Sequence, residues 1–261
     1  MSPLADSCTI HLYGDHILNH SISIDKKLVI QGYNEATISS NEKSDLTDVA
    51  TKREPAFLLK KELFLTSLHV DNINLLGILQ STENKTIVIH MCQFTSSTIN
   101  IEYQNMSNQT HLSIINSNFT GGRGLRISHS IVIITDSRFE RNNHGYRMIS
   151  HTSGKGGALL VENSLVIITR SKFEKNSANS FGGALYMEKS NVTITNSIIE
   201  SNYAERRGGG IYAIKSSSVT IHSSAINSNK ASSEGGGMYV AADSTVKINN
   251  TAMNSNNAPC L

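Results

Sequence analysis

Three glutamates recur along the chain at a spacing that could support carbohydrate chemistry. Glu140, Glu174 and Glu200 occupy equivalent positions of successive sequence repeats, and each directly follows an apolar residue. If each interval is one lap of a stacked chain, the carboxylates lie ~4.8 Å apart, the distance between neighbouring β-strands. Carboxylates about 5 Å apart act as nucleophile and acid in retaining glycosidases, and carboxylate clusters also bind calcium. We favour the alternative of a charge-balanced, solvated face, because Arg138 and Lys172 lie two residues earlier on the same side.

A second candidate is a row of aromatic side chains. Tyr186, Tyr212 and Tyr239 alternate with apolar residues that face inward, so the pattern predicts that the tyrosines point outward and stack on three consecutive laps. Exposed aromatic rows bind sugar rings or a partner surface. The alternative, which we favour, is stacking that stiffens the sheet.

The cysteines indicate no redox or metal chemistry. The chain has three of them, too few for a disulfide framework or a standard zinc site. Cys92 occupies a position at which other repeats carry serine, so we expect a buried free thiol. We predict no catalytic residue, no cofactor site and no metal site.

The elements that position these side chains are set by an internal repeat. Glycine pairs open successive units at nearly constant intervals along the second half of the chain. The pairs are Gly156 and Gly157, Gly182 and Gly183, Gly208 and Gly209, and Gly235 and Gly236. We expect each pair to turn the same corner, because glycine permits positive φ and close backbone approach.

Within each unit the apolar residues alternate with polar ones, which is the period of a strand. Leu185 and Met187, Val192 and Ile194, and then Ile199 illustrate three short strands per unit. One unit buries too little apolar surface to offset the entropy of ordering its backbone, so units must stack on one another. The sequence therefore predicts an all-β, right-handed parallel β-helix of the pectin lyase-like type, with about 26 residues per coil and eight or nine coils.

When the coils stack, residues at equivalent positions of successive repeats lie directly above one another. Such a column of residues is called a ladder. One such column consists of asparagines, whose side-chain amides can hydrogen-bond along the axis and satisfy the backbone groups of a turn. Its members are Asn142, Asn176, Asn202, Asn229 and Asn256.

The repeat is regular in one half of the chain and degenerate in the other. We expect a single domain over residues 1–261, with degenerate coils and a cap in residues 1–120 and regular repeats in residues 121–261. Residues 8–32 resemble a first coil. The segment 43–64, KSDLTDVATKREPAFLLKKELF, fits the repeat poorly and is predicted to be a loop or a capping helix.

Composition excludes some partners. The 261 residues carry a net charge of only +2, which argues against a nucleic-acid partner. No apolar run is long enough to span a membrane. The N-terminal residues contain no apolar stretch typical of a signal peptide, and we expect the chain to be part of a longer protein.

The repeat resembles a known family. GGAL at residues 156–159 and 182–185, with Phe-x-x-Asn at residues 139–142 and 173–176, resembles the chlamydial polymorphic outer membrane protein repeat, which pairs GGA[ILV] with FxxN. The resemblance covers residues 121–261 well and residues 1–120 loosely. Later units depart from it, with GGGI and GGGM at residues 208–211 and 235–238, and Ile199, Ile226 and Met253 in place of phenylalanine.

The resemblance implies an exported protein that is extracellular or exposed on a cell surface. We therefore expect a non-enzymatic adhesion or partner-binding scaffold, with a protein or glycan ligand on an exposed face of the β-helix. The alternatives are a polysaccharide lyase or hydrolase, since such enzymes share this fold, and a structural spacer within a larger receptor-like ectodomain. Aspartates are too few and too scattered after residue 121 for a catalytic cluster.

Overall fold

The chain forms short parallel strands that return to the same positions lap after lap. The computed structural model describes residues 7–18, 22–24, 27–40, 57–59, 63–71, 74–79, 85–103, 110–144, 154–241 and 243–259. Within these residues there are 30 strands and no helix.

The strands fall into three groups along the chain. The first group is β1 (Ser7–Leu18), β2 (Ile22–Ile24), β3 (Lys27–Ser40), β4 (Phe57–Leu59), β5 (Leu63–Thr66), β6 (His69–Asp71), β7 (Asn74–Leu79), β8 (Lys85–His90), β9 (Gln93–Thr95) and β10 (Thr98–Tyr103). The second group is β11 (Thr110–Ile115), β12 (Asn118–Thr120), β13 (Gly124–Ser128), β14 (Ser130–Thr135), β15 (Arg138–Glu140), β16 (Asn143–His144), β17 (Leu159–Glu162), β18 (Leu165–Thr169), β19 (Lys172–Glu174) and β20 (Ser177–Ala178). The third group is β21 (Leu185–Glu188), β22 (Asn191–Thr195), β23 (Ile198–Glu200), β24 (Tyr203–Ala204), β25 (Ile211–Ile214), β26 (Ser218–His222), β27 (Ala225–Asn227), β28 (Lys230–Ala231), β29 (Met238–Val240) and β30 (Thr245–Asn249).

Three parallel sheets enclose the core. The main sheet has 17 strands, the second sheet has nine (β2 to β29), and the short sheet has four (β16, β20, β24 and β28). Every strand pairs in parallel with its counterpart one lap away, for example Val166 with Val192 and Ile168 with Ile194. The architecture is therefore the predicted parallel β-helix.

The coils stack in ten levels along the main sheet. Strands β1, β3, β5, β8, β11, β14, β18, β22, β26 and β30 lie side by side in one unbroken series. The repeat spacing predicted eight or nine coils. The additional level lies in the N-terminal part of the chain, where β1, β3 and β5 each form a level of their own. A short first coil, in which Ser7 pairs with Lys27, is offset by a long second coil, in which Leu28 pairs with Leu63.

Like residues pile up inside the coils. Phe94, Phe119, Phe139 and Phe173 are buried, and neighbouring rings stack with centroids 4.7 to 4.8 Å apart. The inward alternation of valine and isoleucine continues through the same levels, with Val166 and Ile168 fully buried. This apolar column is the main core of the described residues.

The corners repeat a common design. A non-glycine residue with positive φ, such as Arg170 (46°), Lys175 (52°) or Lys189 (50°), precedes a buried serine or asparagine. The left-handed conformation costs roughly 1–2 kcal/mol for such residues. Hydrogen bonds from the buried polar side chain that follows offset this cost, so each corner is defined by two adjacent residues.

One prediction about the N-terminal half is wrong for part of its segment. Within the segment 43–64, predicted as a loop or helix, residues 57–59 and 63–64 belong to strands β4 and β5, while residues 43–56 and 60–62 lie outside the described residues. The physical reason is the alternation in β5: Leu63 and Leu65 are buried and pair with Ile87 and Ile89 of the next lap.

Candidate functional site

The asparagine column forms a continuous hydrogen-bonded ladder. Asn202 accepts from the backbone N–H of Asn176 (2.9 Å) and from its side-chain Nδ2 (3.0 Å). Asn202 in turn donates Nδ2 to the carbonyl of Phe173 (3.0 Å) and to Oδ1 of Asn229 (2.9 Å). Asn142 and Asn256 occupy the two ends of the same ladder. Each amide except that of the terminal Asn256 thus joins three successive coils, which is a structural role.

The two glycines of each turn meet two different structural requirements, one of backbone conformation and one of space. The first glycine of each pair, at positions 156, 182, 208 and 235, has a φ between 64° and 68°. The second glycine of each pair lies too close to other backbone atoms to carry a side chain. A Cβ on Gly183, for example, would overlap the backbone carbonyl oxygens of Gly209 and Tyr203. Gly157, Gly209 and Gly236 meet backbone atoms of the adjoining coil in the same way.

The tyrosine row stacks, but it is not a surface site. Ring centroids of Tyr186 and Tyr212 are 5.4 Å apart, and those of Tyr212 and Tyr239 are 5.3 Å apart. Tyr186 is only 1% exposed and Tyr212 only 6%, which contradicts the predicted outward exposure. The tyrosines do point away from the main core, but the glycine turns fold over them. Phe181, on one of these turns, packs against Tyr212 at 4.7 Å.

Cations close this small second core. Lys155 lies 4.6 Å from the centroid of the Tyr186 ring, and Arg207 lies 5.0 Å from that of Tyr239. The turns carrying Lys155, Phe181, Arg207 and Glu234 bridge one another in parallel. The aromatic row is therefore an interior feature that fastens the glycine turns to the second sheet.

At the edge of the tyrosine row, a buried hydroxyl group is hydrogen-bonded to a carboxylate that also forms an ion pair. The Tyr186 hydroxyl donates to the Glu188 carboxylate at 2.9 Å, and Lys215 Nζ lies 2.6 Å from the same carboxylate. Burial, together with this carboxylate, raises the pKa of Tyr186. Burial acts to raise the pKa of Glu188, but hydrogen bonds from Lys215 and Tyr186 outweigh it, so the pKa is lowered.

We expect a pH-dependent loss of stability in Glu188→Gln. A lowered folded-state pKa means that the carboxylate stabilises the fold above its unfolded value of about 4.3 and ceases to do so as the pH falls through the folded value. The variant should unfold about 1 kcal/mol more easily than wild type at neutral pH, and the difference should shrink on acidification. Urea titrations at several pH values measure it. Glu205→Gln, at an exposed carboxylate, is the control, and a difference that grows on acidification would contradict the assignment.

The glutamate column is held together by shared cations. Arg138 contacts Glu140 (3.0 Å) and also Glu174, and Lys172 lies 2.7 Å from both Glu174 and Glu200. Glu174 is buried, which differs from the predicted exposed column, because it is the middle member and both cations close over it. The arrangement is charge-balanced.

Serines form two further ladders, of which one was expected from the sequence. In the expected column, the Ser171 N–H donates to Ser197 Oγ at 3.1 Å. Cys92 fits this column as a buried free thiol whose own N–H donates to Ser117 Oγ at 3.1 Å, and burial raises its pKa to about 11. The missed ladder comprises Ser130, Ser164, Ser190, Ser217 and Ser244. Its signal was a serine two residues before each inward valine.

The outer surface of the main sheet is the most distinctive exposed feature. Seven adjacent strands, β8, β11, β14, β18, β22, β26 and β30, each present three outward positions. We call this surface the uncharged face. It comprises Thr86, Val88, His90, His111, Ser113, Ile115, Ile131, Ile133, Thr135, Leu165, Ile167, Thr169, Asn191, Thr193, Thr195, Ser218, Thr220, His222, Thr245, Lys247 and Asn249.

The uncharged face combines apolar and hydroxyl side chains. It contains no acidic residue, and its lysine, Lys247, lies on the last strand. At its centre Ile133, Leu165 and Ile167 are 41%, 40% and 37% exposed. This face was not expected from the sequence, because it emerges only when all seven strands are placed in register. The outward residues of "SIVIIT" and "LVIIT" could have revealed its centre.

The described residues contain no cluster of three or more histidine, cysteine, aspartate or glutamate side chains able to hold a metal ion. Among the same residues, no helix is long and apolar enough to cross a membrane.

Comparison with known proteins agrees with this architecture. No curated protein matches the chain. A family model described as a right-handed β-helix region matches residues 76–256, more than half of the chain. These residues include the asparagine ladder, the serine ladders, the glycine turns and the whole of the uncharged face. The chain therefore belongs to the right-handed β-helix family.

Proposed function

We propose that this protein is a non-catalytic binding scaffold whose uncharged face contacts a protein partner. The observation that carries the proposal is the group of exposed aliphatic side chains at the centre of that face, Ile133, Leu165 and Ile167. Exposed apolar patches surrounded by polar residues mark interaction sites on soluble proteins. Depletion of charge at the centre and a polar rim are also typical of protein interfaces.

The rim of the face supports this interpretation. Thr135 and Thr169 border the aliphatic centre on one side, and Asn191 and Thr193 border it on the next strand. Their side chains can form hydrogen bonds with a partner without the desolvation cost of a charge. A rigid β-helix keeps all these groups at fixed spacing, so little conformational entropy is lost on binding.

A protein partner fits better than a glycan. Sugar rings bind to exposed aromatic side chains, but Tyr186 and Tyr212 are buried beneath the glycine turns. The uncharged face itself carries no tyrosine, phenylalanine or tryptophan. Its aliphatic centre suits protein side chains instead.

The carboxylates favour a scaffold over an enzyme. A retaining glycosidase requires one carboxylate that carries a proton and a second that is free to attack. Glu174 instead contacts both Arg138 and Lys172 and is buried, while Glu140 is also paired with Arg141 at 2.8 Å. Such pairing occupies the carboxylate oxygens that catalysis would need.

The same proposal includes a location outside the cell or on its surface and a repeat of the polymorphic outer membrane protein type. The resemblance of the GGA and FxxN repeats to the polymorphic outer membrane protein repeat supports an extracellular or cell-surface site and a role in adhesion. A spacer role in a larger ectodomain would not require the aliphatic centre of the uncharged face.

The proposal predicts a surface-specific loss of binding. The purified chain is tested against immobilised extracellular-matrix proteins and a glycan array, and in parallel for depolymerisation of pectin, alginate and glycosaminoglycans. The double variant Ile133→Lys/Ile167→Lys should weaken protein binding at least about tenfold, because it places two charges in the apolar centre. Ile198→Lys is the matched control, since Ile198 is also an outward strand residue, 39% exposed, but lies outside the uncharged face.

Two outcomes would refute the proposal. One is binding that both variants retain equally. The other is polysaccharide cleavage by the wild type that Glu174→Gln abolishes, which would establish an enzyme.

A further inference from the structure

We infer that the partner of the uncharged face is the same face of a second copy of this chain, so that the scaffold binds homotypically. This inference rests on the proposed function, because it assigns a partner to the same surface. The inference is based on three requirements that a partner must meet, because it must match the uncharged face in shape, charge and area. A second copy meets each of these requirements.

The first requirement is shape. The face is built from parallel strands in continuous register, from the pairing of β8 with β11 to that of β26 with β30. Two such faces can pack as sheets do in a β-sandwich, about 10 Å apart and rotated by roughly 30°. Another sheet of the same kind is therefore a natural counterpart.

The second requirement is charge. A partner patch with many charges would lose hydration over the aliphatic centre without finding an opposite charge there. A second copy brings no acidic residue and brings Lys247 only at the last strand of the face. In an antiparallel pair the two lysines lie at opposite ends, so they do not repel each other.

The third requirement is area. Seven strands at ~4.8 Å and three outward positions at about 6.8 Å spacing define a surface of roughly 30 by 20 Å, counting the side chains at its borders. Two copies would bury on the order of 1,200 Å² in total, the lower end of the range for specific interfaces. The area is consistent with a pair of moderate affinity.

A two-fold axis between β14 and β18 places the matching groups together. With this axis parallel to the strands, Ile133 of each copy meets Ile167 of the other, Ile131 meets Leu165, and Thr135 meets Thr169. Such an arrangement is closed and self-complementary, as in most homodimers. The apolar residues meet at the axis and the hydroxyl-bearing residues surround them.

The test is the association state of the full chain in solution. Sedimentation equilibrium from about 1 to about 100 μM should show reversible dimerisation, and small-angle scattering should show a particle only about 10 Å longer than one rod of roughly 45 Å but twice as thick. Ile133→Lys/Ile167→Lys should weaken dimerisation at least about 100-fold, whereas Ile198→Lys should leave it unchanged. Circular dichroism verifies that each variant remains folded.

Three results would overturn the inference. They are a wild type that stays monomeric throughout, a dimer that the double substitution does not weaken, and an elongated particle of about twice the rod length, which indicates stacking through the ends of the coils. A monomeric wild type whose binding to another protein is lost in the double variant would refute homotypic pairing and leave the proposed function standing.

Discussion

Replacement of Asn202 by alanine is expected to lower the free energy of unfolding by about 4 kcal/mol. The substitution removes the acceptor for the N–H and the side-chain amide of Asn176 and the donor to the carbonyl of Phe173. All these groups are buried, and each unsatisfied buried polar group costs about 1–3 kcal/mol. Chemical denaturation followed by circular dichroism measures the loss.

Asn191→Ala is the matched control for this prediction. Asn191 is also an asparagine of a regular coil, but its side chain is exposed at the start of β22. Its removal should change stability by no more than about 0.5 kcal/mol. Equal effects at the two positions would show that the ladder contributes nothing specific to the fold.

Gly183→Ala is expected to destabilise the protein by at least about 4 kcal/mol or to prevent folding. The Cβ would overlap two backbone carbonyl oxygens, those of Gly209 on the next coil and of Tyr203. Backbone atoms of stacked coils cannot move individually, because every shift breaks hydrogen bonds to the neighbouring coil. Soluble yield and the denaturation midpoint report the effect.

Gly121→Ala separates this steric effect from the effect of backbone conformation. Gly121 has a φ of 68°, but a Cβ there would have no atom within 4 Å. Alanine should therefore cost only the left-handed conformation, roughly 1–2 kcal/mol. If Gly121→Ala were as damaging as Gly183→Ala, positive φ and not close approach would be the main requirement at these corners.

These two predictions concern the same property of the fold. A coil is held by its neighbours through ladders, so one substitution acts on three levels at once. The same stacking keeps the uncharged face rigid, because its strands cannot shift relative to one another without breaking the ladders beneath them. Stability of the corners and order of the proposed binding surface are thus physically linked.

The sequence by itself determined the length of a regular coil, which residues face inward and which residues form ladders. A period of about 26 residues, with alternation inside it, specifies which residues stack once the chain is known to wind. Asn142 to Asn256 and the glycine pairs could be identified in this way, because each interacts mainly with its own counterpart one lap away. The length of a coil varies in the N-terminal half, being shorter from Ser7 to Lys27 than from Leu28 to Leu63, and this irregularity hid strands β4 and β5.

Only the tertiary structure decided which outward residues are exposed. The alternation of apolar and polar residues predicts to which side of a strand each side chain points. Whether that side is covered depends on segments from other parts of each coil. Tyr186 points away from the main core and is nevertheless buried, since a glycine turn and Lys155 fold over it. Ile133 and Ile167 have the same outward alternation and remain exposed, because no described turn crosses the main sheet there. The direction of a side chain is a local property, whereas its burial is a property of the whole fold.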